Sequence, residues 1–144
     1  MITTAKGLAA FLLVLTLSAC AGHSHRLASD NGLDRVTGIF SDASSQEPMM
    51  VLEIDGTRYE GKGFTIKRSQ DLSELRRMYG HGKHYDQITS GMDTDHFFYS
   101  ATPELRASNG KTIRCVMAWK SGQGPAGVCT ALDGKEIAIR ADDG

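Results

Sequence analysis

Short strand-like runs separated by tight turn signals dominate the chain from Met49 onward. Three Asp-Gly or Asn-Gly pairs punctuate the pattern, at Asp55-Gly56, Asn109-Gly110 and Asp133-Gly134. Such pairs suit type I′ turns, because both central residues need positive φ angles. The predicted hairpins join Met49–Ile54 to Thr57–Gly61, Glu104–Ser108 to Lys111–Trp119, and Gly127–Leu132 to Lys135–Ala141. Two further strands are predicted at Phe64–Arg68 and His96–Ala101.

One helix interrupts the strands. Ser69 is a candidate N-cap, Asp71 lies in the expected first turn, and Gly80 is a stop signal. Leu72 and Leu75 recur at helical spacing, so the helix has an apolar stripe to pack on a sheet face. The pattern predicts an α+β, mainly β fold, either an antiparallel β-meander or a small, partly closed barrel with one short helix.

Alternation along the last two hairpins identifies one buried face and leaves another open. Ile113, Cys115, Met117 and Trp119 share one side of a strand, which indicates a half-buried strand. In the run from Gly127 to Leu132, both faces carry apolar residues. The pattern does not say which of these two faces is buried.

The N-terminus has the parts of a secretory signal in order. Lys6 forms the positive region, an apolar stretch follows from Leu8 to Leu17, and Ser18-Ala19 makes a small-residue junction. The apolar stretch is shorter than the roughly 20 residues a membrane-spanning helix needs. Residues 1–19 are therefore expected to be a transient export signal.

The run Leu17-Ser18-Ala19-Cys20 resembles the lipobox of bacterial lipoprotein precursors. The resemblance implies lipidation of Cys20, cleavage just before it, and attachment to the membrane through acyl chains in the cell envelope. An ordinary signal peptide ending near a chance cysteine is the alternative. Ala21 follows the cysteine, which in enteric-type bacteria implies sorting to the outer membrane.

Charge and composition limit the expected partners. Removing the signal would leave 125 residues with a formal charge of −2, because Lys6 is lost with it. A nucleic-acid binder would show a basic stripe, so no nucleic acid is expected as a partner. Residues 20–35 are small and polar and predict a flexible tether. Residues 36–144 are expected to form a single β-rich domain.

Cys115 and Cys129 are predicted to form a disulfide. An envelope protein meets an oxidising compartment, and a hairpin turning near Gly122 would place the two cysteines opposite each other. A reactive or metal-binding thiol pair is the alternative, but no Cys-x-x-Cys pattern is present. The letters Gly122-x-Gly124-x-x-Gly127 match a dinucleotide-binding motif, yet a strand-like run follows instead of a helix. These glycines are expected to serve a turn.

The segment from Gly80 to Phe98 holds the densest metal-ligating chemistry. His81, His84 and His96 are candidate ligands for zinc or another divalent metal, because imidazole suits such ions. A solvated loop with scattered histidines is the alternative reading and the favoured one. No cofactor is otherwise expected.

No catalytic pattern stands out, so the chain is not expected to be an enzyme. The pattern from Cys115 through Cys129 to Gly134 is similar to the cysteine-bridged hairpins of small uncharacterised proteobacterial lipoproteins. A more distant similarity is to periplasmic lysozyme inhibitors, at the level of fold alone. The leading hypothesis is a non-enzymatic binding module that presents its domain to an envelope protein or cell-wall component. A periplasmic metal-binding protein and a lysozyme-inhibitor-like protein are the alternatives.

Overall fold

The computed structural model describes residues 24–32, 35–43, 46–79, 86, 88–89 and 97–142. Within these ranges the chain forms a mainly β structure with one short helix, which confirms the predicted fold class. The elements in chain order are β1 (Ser24–Ser29), β2 (Val36–Ser41), β3 (Met49–Ile54), β4 (Thr57–Lys62), β5 (Ile66–Ser69), α1 (Leu72–Tyr79), β6 (Phe98–Ala101), β7 (Glu104–Ala107), β8 (Thr112–Lys120), β9 (Ala126–Ala131) and β10 (Glu136–Ala141).

Eight of the strands close into an antiparallel barrel. Each of β1, β2, β3, β4, β7, β8, β9 and β10 pairs with the next, and β1 pairs back onto β10 through Leu27↔Ala141 and Ser29↔Ile139. Closure removes the free edges that an open meander would leave. The predicted barrel is therefore complete within the described strands rather than partly closed.

The first strand corrects the predicted domain boundary. Ser24–Ser29 lies inside the range predicted as a flexible tether, yet it pairs with β2 on one side and with β10 on the other. Leu27 is 2% exposed in the barrel core. The polar composition predicts that burial of apolar surface cannot offset the entropy lost when this segment is ordered. The strand nevertheless buries one large apolar residue and gains two ladders of backbone hydrogen bonds. The domain therefore includes residues from Ser24 onward.

A pair of short antiparallel strands, β5 and β6, extends the sheet beyond the ring. β8 is long enough to pair with β7 at Thr112–Arg114 and with β6 at Met117–Lys120. β6 in turn pairs with β5, so these two short strands continue the wall at one end of the barrel. The helix α1 lies in the connection between them.

Side chains fill the barrel interior. Trp119 meets Phe40 edge to face, with ring centroids 5.1 Å apart, and both rings are buried. An eight-stranded barrel has an interior just wide enough to be packed by side chains. The buried side chains that share this core include Leu27, Val36, Phe40, Met50, Leu52, Leu105, Ile113, Cys115, Met117, Trp119, Cys129, Ile137 and Ile139.

The helix covers the outside of the barrel. Leu75 packs with Ile88 against Phe98, Ala118 and Val128, which point away from the interior. Burial on both sides of β9 explains why both faces of the Gly127–Leu132 run carry apolar residues. Cys129 packs into the barrel and Val128 packs under the helix layer.

The helix begins at Leu72, two residues later than the predicted N-cap at Ser69 implies. Oδ1 of Asp71 accepts a hydrogen bond from the backbone N–H of Ser73 at 2.9 Å, which makes Asp71 the N-cap. A hydrogen bond with the Ser73 side chain has the largest effect on the pKa of the Asp71 carboxyl and lowers it, and the backbone bond from Ser73 lowers it further. The Oγ of Ser69 instead accepts a bond from the N–H of Asp71 at 3.0 Å and orients the cap.

Only one of the three predicted type I′ turns has that geometry. Asp55 and Gly56 both have positive φ angles, of 50° and 82°. At the other two turns only the glycine has positive φ, and the backbone N–H groups of Gly110 and Gly134 donate to the carbonyl oxygens of Ala107 and Ala131. These are three-residue loops with a glycine bulge. The preceding Asn or Asp side chain accepts a bond from the second following N–H, which favours this alternative.

Candidate functional site

A cleft of about 660 Å³ opens at one end of the barrel. This end carries the first residue of β1, the last residues of β2 and β8, and the turn between β8 and β9. The three Asp-Gly and Asn-Gly turns lie at the opposite end, because successive strands are antiparallel. We call this opening the mouth cleft; its lining residues are His25, Asp42, Ile66, Tyr99, Trp119, Ser121, Gly122 and Gln123.

Strand alternation explains how polar side chains come to line the mouth cleft. Leu27 and Phe40 face the core, and His25 and Asp42 stand two residues further toward the open end. Positions two apart in a strand point to the same side. The inward-facing row therefore changes from apolar to polar where the barrel opens.

Two stacked aromatic rings form the inner wall of the mouth cleft. The rings of Tyr99 and Trp119 lie 5.8 Å apart with an interplanar angle of 23°. Their strands are paired in register, β6 with β8, which brings the two side chains face to face. Trp119 is buried, and Tyr99 is partly exposed toward the cleft.

Asp42 contributes the carboxylate of the mouth cleft. Its Oδ1 is buried, and among the described residues it has no hydrogen-bond partner. A buried carboxylate oxygen without a donor costs free energy, because the water it gave up has not been replaced. Asp42 as a whole is only partly buried, so a rotation of its side chain would let a ligand donor in the cleft remove this cost.

A second cavity, of about 670 Å³, lies between α1 and the extended sheet and has the opposite charge character. Lys67, Arg77 and Arg114 line it, opposed by Glu74 alone among the charged residues described there. Phe64 and Met78 supply apolar surface. We call this cavity the helix groove; its cations suit an anion rather than a cation.

The predicted disulfide is confirmed. Cys115 and Cys129 are bonded, pair directly across β8 and β9, and are buried in the barrel. The glycine-rich loop between them makes a turn, with Gly122 at a φ angle of 83°. This bridge joins two walls of the core and is not accessible to a substrate.

The other predicted site residues lie outside the described part of the chain. The lipidation site Cys20 and the candidate metal ligands His81, His84 and His96 are among them, so both interpretations stay predictions. Within the residues that are described, no cluster of three or more His, Cys, Asp or Glu side chains is arranged to hold a metal ion. Nor does any helix in those ranges have the length and apolar character to cross a membrane.

Sequence reasoning missed the mouth cleft. The alternation of Cys115, Met117 and Trp119 marks one inner face correctly. The same two-residue spacing leads from Leu27 to His25 and from Phe40 to Asp42 at the open end of the barrel. The sequence alone does not reveal this row, because the polar composition of β1 predicts a tether.

Comparison with protein-family models found no match, and comparisons with curated proteins and with solved structures found none either.

Proposed function

We propose that this chain is a lipid-anchored envelope protein that acts by binding a ligand in the mouth cleft rather than by catalysis. The lipobox-like run ending at Cys20 supports the anchor. The buried disulfide in the barrel is compatible with an oxidising compartment. A rigid, closed barrel with a packed interior is suited to presenting a preformed cleft.

The observation that carries the binding role is the mouth cleft itself. It combines a stacked aromatic pair with a carboxylate oxygen that lacks a partner among the described residues. Apolar walls with a few placed polar groups are typical of small-molecule sites. The ligand would come from the envelope, either as a component of it or as part of a neighbouring protein.

Mass spectrometry of the mature N-terminus tests the anchor. Expression of the full chain in a bacterium that lipidates exported proteins is expected to yield a protein that begins at an acylated Cys20. A Cys20→Ser variant is the matched control and should leave the membrane fraction. An unmodified cysteine, cleavage at another position, or an unchanged distribution of the variant would contradict the proposal.

Fluorescence of Trp119 tests the binding role separately. Trp119 is the one tryptophan in the sequence and lines the mouth cleft, so its emission reports on this site. A fractionated extract of envelope small molecules and cell-wall fragments should contain a component that shifts the emission in a saturable way. If no fraction does so, the mouth cleft is not a binding site.

A further inference from the structure

The charged residues that line the mouth cleft indicate which sign of charge its ligand carries. Asp42 is the acidic residue that lines it, and none of the described lining residues is a lysine or arginine. The helix groove, of nearly equal volume, has three cations and one acid. A positive charge in the mouth cleft would thus meet a carboxylate, with His25 as the one basic residue type among the described lining residues, whereas in the helix groove it would meet an excess of lysine and arginine.

The missing hydrogen bond to Asp42 further limits the chemical class of the ligand. Its buried Oδ1 lacks a donor among the described residues, while Asp42 as a whole is only partly buried, so a rotation of the side chain would let a ligand with an N–H or O–H group supply the missing bond. A charged N–H donor forms a bond to a carboxylate that is roughly twice as strong as a neutral one. An ammonium group supplies both the donor and the complementary charge.

The aromatic wall favours the same ligand. Tyr99 and Trp119 are the residue types whose ring faces attract cations, and such contacts are worth about 0.5–2 kcal/mol. Carbon atoms next to an ammonium nitrogen would also pack on these rings and on Ile66.

The position of β1 indicates where the ligand would be found. The lipid-bearing residue of the proposed function, Cys20, precedes the first barrel residue, Ser24, by four positions. Four residues span at most about 14 Å even when fully extended. Ser24 is at the same end of the barrel as Asp42, because it pairs with Ser41. A lipid on Cys20 would therefore hold the mouth cleft beside the headgroups of the bilayer.

We infer that the mouth cleft binds an organic ammonium group, with Asp42 accepting a hydrogen bond from the nitrogen and Tyr99 and Trp119 packing against its carbon atoms. The nearest source is the amine of a phospholipid headgroup, and this assignment of source rests on the proposed lipid anchor. The ammonium chemistry itself rests on the cleft alone.

Titration of the full chain in detergent tests the chemistry without reference to the anchor. Ethanolamine is expected to change Trp119 emission in a saturable way, and choline, which has no N–H donor, to bind more weakly. An Asp42→Asn variant keeps the shape of the side chain and removes its charge. It should weaken ethanolamine binding at least tenfold.

Glu53→Gln is the matched control, because Glu53 is an exposed carboxylate on β3 outside the mouth cleft. It should leave the affinity unchanged, and the circular dichroism of both variants should match that of the parent chain. Absence of saturable binding of ethanolamine would overturn the inference, as would equal binding by the parent chain and Asp42→Asn. Binding of a neutral sugar instead would also overturn it while preserving the binding role.

Vesicles distinguish the two sources of the amine. The full chain is reconstituted in vesicles of phosphatidylglycerol, with or without phosphatidylethanolamine. An emission change that requires phosphatidylethanolamine and is lost in Asp42→Asn assigns the site to the lipid headgroup. If soluble ethanolamine binds and the lipid has no effect, the ammonium site stands and a free amine is its ligand.

Discussion

At the scale of single residues, glycines inside strands control how closely the barrel walls approach. Gly127 faces Met117 across β8 and β9. A Cβ atom at position 127 would overlap the carbonyl oxygen of Val116 and Sδ of Met117. The backbone comes this close because strongly coiled strands in a small barrel need positions without a side chain.

Replacing this glycine is therefore expected to destabilise the barrel. Gly127→Ala should lower the free energy of unfolding by about 1–3 kcal/mol, since a backbone oxygen must move to admit the methyl group. Urea unfolding followed by circular dichroism measures the change. Thr130→Val, at an exposed position on the same strand, should change it by less than about 0.5 kcal/mol. Equal effects for the two variants would contradict this account.

At the scale of elements, β1 decides whether the sheet is open or closed. Its backbone links β2 to β10, so it occupies the position where a meander would otherwise have two free edges. Composition alone indicated a tether, because serine, histidine and arginine surround its few apolar residues. A half-buried strand needs an apolar residue only at every second position, where the side chain faces the core. In a six-residue strand this gives a pattern of at most three positions, which is too short to recognise.

Truncation of Leu27 separates a structural strand from a tether. Leu27→Ala is expected to cost about 2–5 kcal/mol of unfolding free energy, because Leu27 is buried in the core. Ile39→Ala is the matched control on the neighbouring strand, where the side chain is 45% exposed. Its cost should stay below about 1 kcal/mol. A Leu27→Ala variant as stable as the parent chain would restore the tether interpretation.

At the scale of the whole molecule, the disulfide and the closed ring act on the same core. Cys115 and Cys129 lie 14 residues apart in sequence and join two strands that already form a hairpin. The bond limits the unfolded chain, and a loop of this length contributes about 3 kcal/mol in the chain-entropy model. The ring then makes every strand depend on its two neighbours.

Removal of the bond should destabilise the whole barrel in a single transition. A Cys115→Ala/Cys129→Ala double variant is expected to unfold at lower urea concentration, with a loss of about 3 kcal/mol. Reductant should lower the stability of the parent chain and leave the double variant unchanged. A parent chain that is insensitive to reductant under unfolding conditions would show that the bond contributes nothing.

The candidate site could be predicted only in fragments. The alternation of Cys115, Met117 and Trp119 indicated the correct inner face, and the spacing of the cysteines indicated their bridge. Asp42 was not predicted, because it follows a strand in an ordinary polar loop. Its significance comes from His25 and Tyr99, which lie far from it in sequence and reach it only through strand pairing.

Local chemistry along the chain determined the hairpins, the helix, the mainly β class and the disulfide partners. These features depend on turn residues, on the periodicity of apolar side chains, and on pairing between segments that lie close together in the chain. All three are visible in a single sequence. The tertiary structure alone decided that β1 joins β10 and that polar residues meet at one mouth. Closure of a ring pairs the two ends of the domain, and no local pattern records which distant strands will share hydrogen bonds.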